Sequence, residues 1–278
     1  LVFAAYSTAD FLLVLSWSVI IAGLIQVILL IFALTREKIY FIFTKKIYTK
    51  NTKRFAKLFS ASFFSSGLLQ INILIGTIIA SYESGAISYL YYAYRVYQLP
   101  LALIGIAIGV ALLPSISKKM KSDNYETIHQ SIEQTLLYSL LFAVPASVGI
   151  YVLSEQIISV LFERGEFDER SSLYTAKALK FYAIGLIAFI LMKVYTPIFF
   201  AYEDAKPTIF ITVINLVINT VLSIALFIYI GFVGIPIATS ISAWISVLLM
   251  SYYLKKYNYF RLSNRIILPT TIIIIVSI

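Results

Sequence analysis

Long apolar runs separated by short polar connections make up most of the chain. A transmembrane helix needs about 20 mostly apolar residues. Seven runs reach that length, and an eighth that begins near Ile266 extends to the last residue. The predicted bounds are 11–34, 58–81, 86–113, 132–153, 174–202, 208–230 and 235–254. The pattern predicts an all-α polytopic membrane protein with about seven full transmembrane helices plus a truncated eighth.

The composition agrees with this prediction and excludes several classes of protein. Apolar residues make up 60% of the chain and charged residues 13%, whereas soluble domains have about 45–50% and 25%. The sequence has no cysteine, which excludes disulfides, thiolate metal sites and a cysteine nucleophile. It also lacks the HExxH, GxSxG and phosphate-loop motifs of common enzymes. We therefore expect a protein that is not an enzyme and that uses no metal or cofactor.

The basic residues are concentrated in alternate connections, which predicts the orientation in the membrane. Cytoplasmic connections of membrane proteins carry an excess of lysine and arginine. One side has sixteen of these residues, against two to four on the other side. We expect the side with more basic residues to be cytoplasmic. These residues account for the net charge of +9, so the charge does not indicate nucleic-acid binding. Its segments are Arg36–Lys57, Lys118–Lys121, Lys206 and Lys255–Arg265.

The segment Arg36–Lys57 combines eight basic residues with aromatic and aliphatic ones. Such a composition is typical of a segment that lies against the anionic headgroups of a membrane surface. It predicts an interfacial linker whose partners are anionic membrane lipids.

Arg95 is the most informative polar residue within an apolar run. A charged side chain there costs about 2.5–3.5 kcal/mol on insertion scales, and arginine does not lose its proton. At helical spacing Ser88, Tyr92 and Leu99 share its face. The pattern predicts a helix that presents Arg95 to a wet cavity, where it binds an anion. Pairing with a buried carboxylate and extension toward the membrane interface are the alternatives.

Other polar residues within the runs are weaker candidates. Lys193 lies about nine residues before a cytoplasmic turn, and it either contacts the ligand or extends toward the interface. Gln70 and Asn72 either line a cavity or pair between helices. The spacing of Asn215 and Asn219 favours interhelical hydrogen bonds.

Small residues and prolines within the runs predict close contacts and helix interruptions. The motif Gly105-xxx-Gly109 is typical of close helix packing. Interrupted helices are also a mark of transporters. Four runs are predicted to be interrupted, at Pro100, Pro145, Pro197 and Pro236.

A series of short motifs occurs in a specific order along the chain. In this order and spacing, the chain resembles the MurJ/MviN family of lipid II flippases, members of the multidrug/oligosaccharidyl-lipid/polysaccharide exporter superfamily. The motifs are Gln70-Ile71-Asn72, Ser84-Gly85-Ala86-Ile87-Ser88, Tyr91-Tyr92-Ala93-Tyr94-Arg95, Gln98-Leu99-Pro100, Leu112-Leu113-Pro114-Ser115, Leu161-Phe162-Glu163-Arg164-Gly165-Glu166-Phe167, Lys193-Val194 and Phe199-Phe200-Ala201.

The resemblance implies a domain organisation. The family fold has two six-helix lobes plus two C-terminal helices, so this chain is expected to be a fragment that contains only the last helix of the N-terminal lobe. Residues 1–35 would be the last helix of that lobe, and residues 36–57 the cytoplasmic basic inter-lobe linker. Residues 58–254 would form the C-terminal six-helix transporter lobe, and residues 255–278 a basic loop and the start of the next helix.

The resemblance also implies a function and a location. A flippase of this family moves lipid II, the undecaprenyl-diphosphate-linked peptidoglycan precursor, from the inner to the outer leaflet of the bacterial inner membrane by alternating access. Arg95 matches a cavity arginine and Ser88 a cavity-lining serine. Tyr94 and Gln98 stand where acidic residues are common. The expected substrate-binding residues are Arg95, Ser88, Tyr92, Gln98, Gln70, Asn72 and Lys193.

Two alternative functions are consistent with the same sequence. One is a flippase or exporter of another polyprenyl-linked saccharide or of a drug. A cation-coupled drug exporter more often needs carboxylates within the membrane. The predicted spans contain one acidic residue, Glu133, which lies at the start of its run, and this argues against such an exporter. The second alternative is a membrane scaffold that transports nothing. Such a scaffold has no need to present Arg95 to water.

Overall fold

The computed structural model describes residues 8–37, 50–120 and 125–260. The predicted eighth helix and most of the linker 36–57 lie outside these residues. The helices are α1 (Thr8–Arg36), α2 (Lys50–Ala80), α3 (Ala86–Pro100), α4 (Ala107–Met120), α5 (Tyr125–Val152), α6 (Ser154–Phe162), α7 (Glu169–Ala201), α8 (Lys206–Ile230) and α9 (Gly234–Lys256). A π-helical segment, Leu101–Ile106, joins α3 to α4, and a 3₁₀ turn, Gly231–Val233, joins α8 to α9.

Five stretches of the described residues are long and apolar enough to cross a membrane. They are Ser16–Arg36, Ala86–Lys118, Glu126–Val152, Glu169–Ala201 and Lys206–Lys256. The last stretch contains both α8 and α9, and the apolar part of α2, Gly67–Ala80, is shorter. The predicted all-α polytopic membrane class is confirmed, whereas the number of spans stays a prediction.

The chain divides into two compact units, Leu1–Lys53 and Arg54–Ile278. In the first unit, α1 exposes apolar side chains along its length, including Trp17, which is 61% exposed. A continuous apolar surface of this kind needs lipid or another protein to cover it. The predicted domain bounds at residues 35, 57 and 254 stay predictions.

Helix α7 lies at the centre of the second unit. It packs against α3, α4, α5, α6 and α9. Two hydrophobic cores share this helix: one contains Tyr97 and Leu179, and the other contains Ile198, Phe199 and Met250. The position of α3, which carries Arg95, is therefore fixed by apolar contacts with α7.

Three of the four predicted helix interruptions are wrong. Helix α5 continues through Pro145 and α7 continues through Pro197, and Pro236 lies in the first turn of α9. Proline fits the first turn of a helix because the first N–H groups have no acceptor within the helix. The α-helical geometry changes only after Pro100, where the π-helical segment begins.

The predicted polar connection at residues 114–130 is largely helical. Helix α4 continues through Pro114 to Met120, and α5 already begins at Tyr125. The reason is that Ile116, Ile128 and Ile132 are completely buried in one shared core. Apolar run length therefore predicts the part of a helix within the membrane and misses its extension beyond it.

Glu83 connects two distant loops of the second unit. It lies between α2 and α3, and its Oε2 atom accepts a hydrogen bond from the backbone N–H of Phe232 at 2.7 Å. The neighbouring Gly231 has a φ of +67°, and a Cβ there would lie 2.8 Å from the same Oε2 atom. The carboxylate therefore holds the turn between α8 and α9 against the end of α2.

We expect Glu83→Ala to destabilise the full-length protein by about 1–3 kcal/mol, because it leaves a buried N–H without an acceptor. Thermal unfolding in detergent micelles, followed by circular dichroism, measures the change. The control is Glu166→Ala, which removes an exposed carboxylate from another connection. Equal unfolding temperatures for the two variants would contradict this role of Glu83.

Candidate functional site

Arg95 lies on an exposed face of α3 and contacts two neutral side chains of the same helix. Its Nη2 group donates a hydrogen bond to the hydroxyl oxygen of Tyr91 at 3.0 Å. Its Nη1 group donates to Oε1 of Gln98 at 3.3 Å. The guanidinium carbon also lies 4.8 Å from the centroid of the Tyr91 ring. Both partners are one helical turn away, the spacing at which side chains on a helix meet.

The charge of Arg95 has no acidic counterpart among the described residues. The ion pair among the described residues joins Nζ of Lys180 to Oε1 of Glu155 at 2.6 Å and does not involve Arg95. The two partners of Arg95, Tyr91 and Gln98, carry no charge. A guanidinium has more N–H donors than these two hydrogen bonds use. Arg95 therefore keeps both its positive charge and free donors, as the predicted anion site requires.

Ser88 lies two helical turns before Arg95 and Tyr92 one turn before it, and both line a cavity of about 670 Å³. Its other wall comes from the connection between α6 and α7, with Arg164 and Glu166 among its residues. The centroid of the Tyr92 ring lies 4.8 Å from that of Phe162, the last residue of α6. The structure therefore brings two of the predicted site residues to one cavity, whose lining residues do not include Arg95.

Asn72 lines a second, smaller cavity of about 180 Å³, together with Tyr91 and Asn219. The Nδ2 group of Asn219 donates a hydrogen bond to Oδ1 of Asn72 at 2.6 Å and so connects α8 to α2. The Nδ2 group of Asn215 donates to Oγ of Ser246 at 2.9 Å and connects α8 to α9. The predicted interhelical hydrogen bonds of Asn215 and Asn219 are confirmed, and Asn72 both lines a cavity and pairs between helices.

We expect Asn219→Leu to destabilise the full-length protein, because the change removes the donor that pairs with Asn72. Interhelical hydrogen bonds in membrane proteins contribute about 0.6 kcal/mol on average and up to about 1.7 kcal/mol. Chemical unfolding in detergent measures the difference in free energy. Gln70→Leu, at an exposed position of α2, is the control and should leave the stability unchanged. A stability of Asn219→Leu equal to that of the control would show that this pair contributes nothing.

Gln70 and Lys193 are exposed side chains. Like Arg95 and Gln98, they do not line the cavities that hold Ser88, Tyr92 and Asn72. Roles in binding for these two residues stay predictions.

The motif Gly105-xxx-Gly109 packs against α7, as predicted: Gly105 faces the side chains of Lys193 and Ile190, and Gly109 faces the backbone of Lys193. A Cβ at Gly109 would lie 2.9 Å from the carbonyl oxygen of Lys193. In an α-helix this carbonyl would accept from the N–H of residue 197, but Pro197 has none. The close approach of α4 therefore covers a carbonyl that lacks its usual helical donor.

Two carboxylates, on α6 and at the start of α7, accept hydrogen bonds from neighbouring groups. Asp168 caps the first turn of α7 and accepts a hydrogen bond from the backbone N–H of Ser171 at 2.9 Å. Hydrogen bonds from the side chain and the backbone of Ser171 lower the pKa of the Asp168 carboxyl. A hydrogen bond from Lys180 likewise lowers the pKa of Glu155. Both carboxylates are thus ionised at neutral pH.

The sequence pattern does not identify Tyr91 as a ligand of Arg95, although its spacing of four residues is the available signal. The contact of Phe162 and Phe167 with Tyr92 has no signal in local periodicity, because these residues are far apart in the chain. The role of the whole set in substrate binding stays a prediction.

A family model described as lipid II flippase MurJ matches residues 1–278 of the chain. A probable lipid II flippase MurJ of Rhizobium meliloti (strain 1021) is 36% identical over 253 residues, which cover 90% of this chain and 47% of the relative. A protein of the same description from Rickettsia prowazekii (strain Madrid E) is 36% identical over 245 residues, covering 88% and 48%. The chain spans about half the length of the curated relatives it matches.

Solved structures show the same fold. A lipid II flippase MurJ in an inward closed conformation matches with a TM-score of 0.69 and 29% identity over 83% of this chain and 48% of that one. An outward-facing multidrug resistance MATE family transporter matches with a TM-score of 0.68 and 18% identity over 77% and 47%, a likeness of fold alone. Because the family model covers every residue, the chain belongs to the MurJ family of lipid II flippases.

Proposed function

We propose that the full-length protein containing this chain is a lipid II flippase of the bacterial inner membrane. It moves the lipid-linked peptidoglycan precursor from the inner to the outer leaflet and so supports cell-wall synthesis. This chain supplies the C-terminal lobe, and a second lobe supplies the other wall of the site. The family match over residues 1–278 supports this proposal.

The observation that carries the proposal is the exposed, unneutralised guanidinium of Arg95 in an apolar run. A diphosphate is a suitable ligand, because charge-assisted hydrogen bonds between arginine and phosphate oxygens are short and strong. Their electrostatic part gains further strength where water is excluded. Ser88 and Tyr92 in the neighbouring cavity and Gln98 beside the guanidinium are proposed to contact the rest of the headgroup. Gln70, Asn72 and Lys193 are kept as secondary candidates.

Charge neutralisation also gives a reason for transport to depend on the substrate. An isolated arginine within a membrane is costly, whereas an arginine bound to an anion is less so. The empty site is therefore held open to water, and the loaded site closes and opens to the other leaflet at a lower cost. Rocking of two lobes around a fixed midplane site is the usual form of such a change.

The proposed orientation places the basic segments on the cytoplasmic side. Sixteen lysine and arginine residues lie on that side of the predicted topology, in accordance with the positive-inside rule. The linker 36–57 would then bind anionic lipids of the inner leaflet.

A complementation experiment tests the proposed function. The full-length protein is produced in bacteria whose own lipid II flippase is depleted, and growth is measured together with the fraction of lipid II that an externally added hydrolase cleaves. We expect growth to be restored and lipid II to become accessible from outside. Lipid II that stays protected, in cells with normal membrane levels of the protein, would overturn the proposal.

A further inference from the structure

Tyr91 contacts the guanidinium of Arg95 in two ways. Its hydroxyl oxygen accepts a hydrogen bond from Nη2 at 3.0 Å, and its ring lies below the guanidinium carbon, 4.8 Å from the centroid. A charged hydrogen bond and a cation–π contact from one side chain restrict both the position and the tilt of the guanidinium plane. Tyr91 is also 51% exposed, so burial of its ring in the core does not explain this arrangement.

The ring of Tyr91 is itself held in place by other aromatic residues. It lies edge-on to the ring of Tyr92, with centroids 5.7 Å apart and an interplanar angle of 80°. Tyr92 in turn packs against Phe162 at 4.8 Å and Phe167 at 5.2 Å. The contacts of Arg95 thus extend through Tyr91 and Tyr92 to the end of α6 and the connection that follows it.

We propose that Tyr91 is a positioning residue that fixes the guanidinium of Arg95 before the substrate arrives. The inference rests on the proposed function, in which Arg95 binds the diphosphate of lipid II. A free arginine side chain loses substantial conformational entropy when it is immobilised by a ligand. When Tyr91 immobilises it in advance, less of that cost falls on substrate binding.

The neutral charge of tyrosine suits this role. A carboxylate at position 91 would also orient Arg95, but it would cancel the charge and compete with the anion for the same donors. A phenol accepts the hydrogen bond and leaves the charge in place. Gln98 is a second neutral acceptor at a longer distance of 3.3 Å, so Tyr91 is expected to have the larger effect.

Binding to purified full-length protein in detergent tests the effect on affinity. The probe is undecaprenyl diphosphate, with undecaprenyl monophosphate for comparison, and the Kd is measured by microscale thermophoresis. Tyr91→Phe keeps the ring but removes the acceptor, and we expect a Kd raised about threefold to tenfold. Tyr91→Leu removes both contacts and should raise the Kd by more than about tenfold. The control is Tyr138→Leu on α5, a tyrosine that is 60% exposed.

Chemical modification of Arg95 provides a measurement that does not depend on the substrate. Phenylglyoxal reacts with free guanidinium groups, and mass spectrometry gives the rate at Arg95 relative to Arg164 and Arg170 in the same sample. In Tyr91→Leu, loss of both contacts frees the guanidinium, and Arg95 should react several-fold faster than in the wild type. In Tyr91→Phe, where the ring remains, the increase in rate should be smaller. Tyr138→Leu should not change the ratio. A general structural role of Tyr91 would alter the thermal stability without this selective effect.

The outcomes separate this inference from the proposed function. If the Tyr91 variants bind the probe and react with phenylglyoxal like the wild type, the positioning role is wrong and the proposed function stands. If Arg95→Ala binds undecaprenyl diphosphate as tightly as the wild type does, the proposed function of the site is wrong. The relative reaction rate of Arg95 then still reports whether Tyr91 holds the guanidinium.

Discussion

Arg95→Ala in the full-length protein is expected to abolish growth of cells depleted of their own lipid II flippase, while membrane levels of the protein stay normal. The change removes a charge that has neutral partners among the described residues. Each hydrogen bond to a charged group is worth about 1.5–3 kcal/mol, so the loss of two such bonds to a diphosphate would reduce binding by at least about a hundredfold. The folded lobe should persist, because Arg95 is exposed and its removal opens no cavity in the cores.

Arg95→Lys is the finer test of the same role. Lysine keeps the charge but loses the planar fork that binds two phosphate oxygens at once, and it cannot reproduce both contacts with Tyr91 and Gln98. We expect partial growth at best. Arg170→Ala is a matched control, because that exposed arginine also lies over a tyrosine ring, with its guanidinium carbon 5.5 Å from the Tyr174 centroid. Full complementation by Arg95→Ala would show that this arginine is not the anion-binding residue.

The class of fold could be predicted from the sequence because the membrane imposes strong rules on composition. Backbone groups within lipid must be paired internally, so long apolar runs become helices. The same reasoning identified Arg95. A charge in such a run is costly, so its presence there indicates a function. Runs of apolar residues give no information about helix extensions such as residues 114–120, where burial of Ile116 in a core continues the helix.

The contacts between helices were only partly predictable. Local spacing indicated the close-packing pair Gly105 and Gly109, but not that it would face Lys193 on α7. It favoured interhelical hydrogen bonds for Asn219 without naming Asn72, which lies 147 residues away. Periodicity reports which residues share a face of one helix, and it does not report which helix covers that face.

The predicted effect of proline failed for a related reason. A proline removes one hydrogen bond of its helix, but neighbouring helices in a membrane protein compensate for that loss. Gly109 on α4 approaches the carbonyl oxygen of Lys193, one turn before Pro197, and α7 stays continuous. Whether a proline interrupts a helix is therefore decided by the packing around it.

Gly185→Val is expected to prevent stable folding of the lobe and to reduce the full-length protein strongly in the membrane. Gly185 lies where α7 meets α9, and a Cβ there would lie 2.6 Å from Oγ and 3.0 Å from Cα of Ser240. The helices are held at this distance by two hydrogen bonds: the Ser240 hydroxyl donates to the carbonyl of Phe181 at 2.6 Å, and the Trp244 indole donates to the carbonyl of Ile184 at 3.0 Å. Overpacking of a rigid contact costs about 1–3 kcal/mol or more, and a backbone atom cannot rotate away.

Two further variants determine whether the contact with Ser240 is the cause of this loss. Gly149→Val places the same side chain in another membrane-spanning helix, α5, where a Cβ meets nothing within 4 Å, and we expect near-normal levels. Gly185→Ala combined with Ser240→Gly removes the Oγ and Cβ atoms that the new methyl group would meet, so it should be more stable than Gly185→Ala alone. Membrane levels and unfolding temperatures in detergent measure both effects. If Gly149→Val is as damaging as Gly185→Val, valine is harmful in these helices for reasons unrelated to packing between α7 and α9. If Ser240→Gly brings no recovery, the close contact of these two residues does not set the distance between the helices.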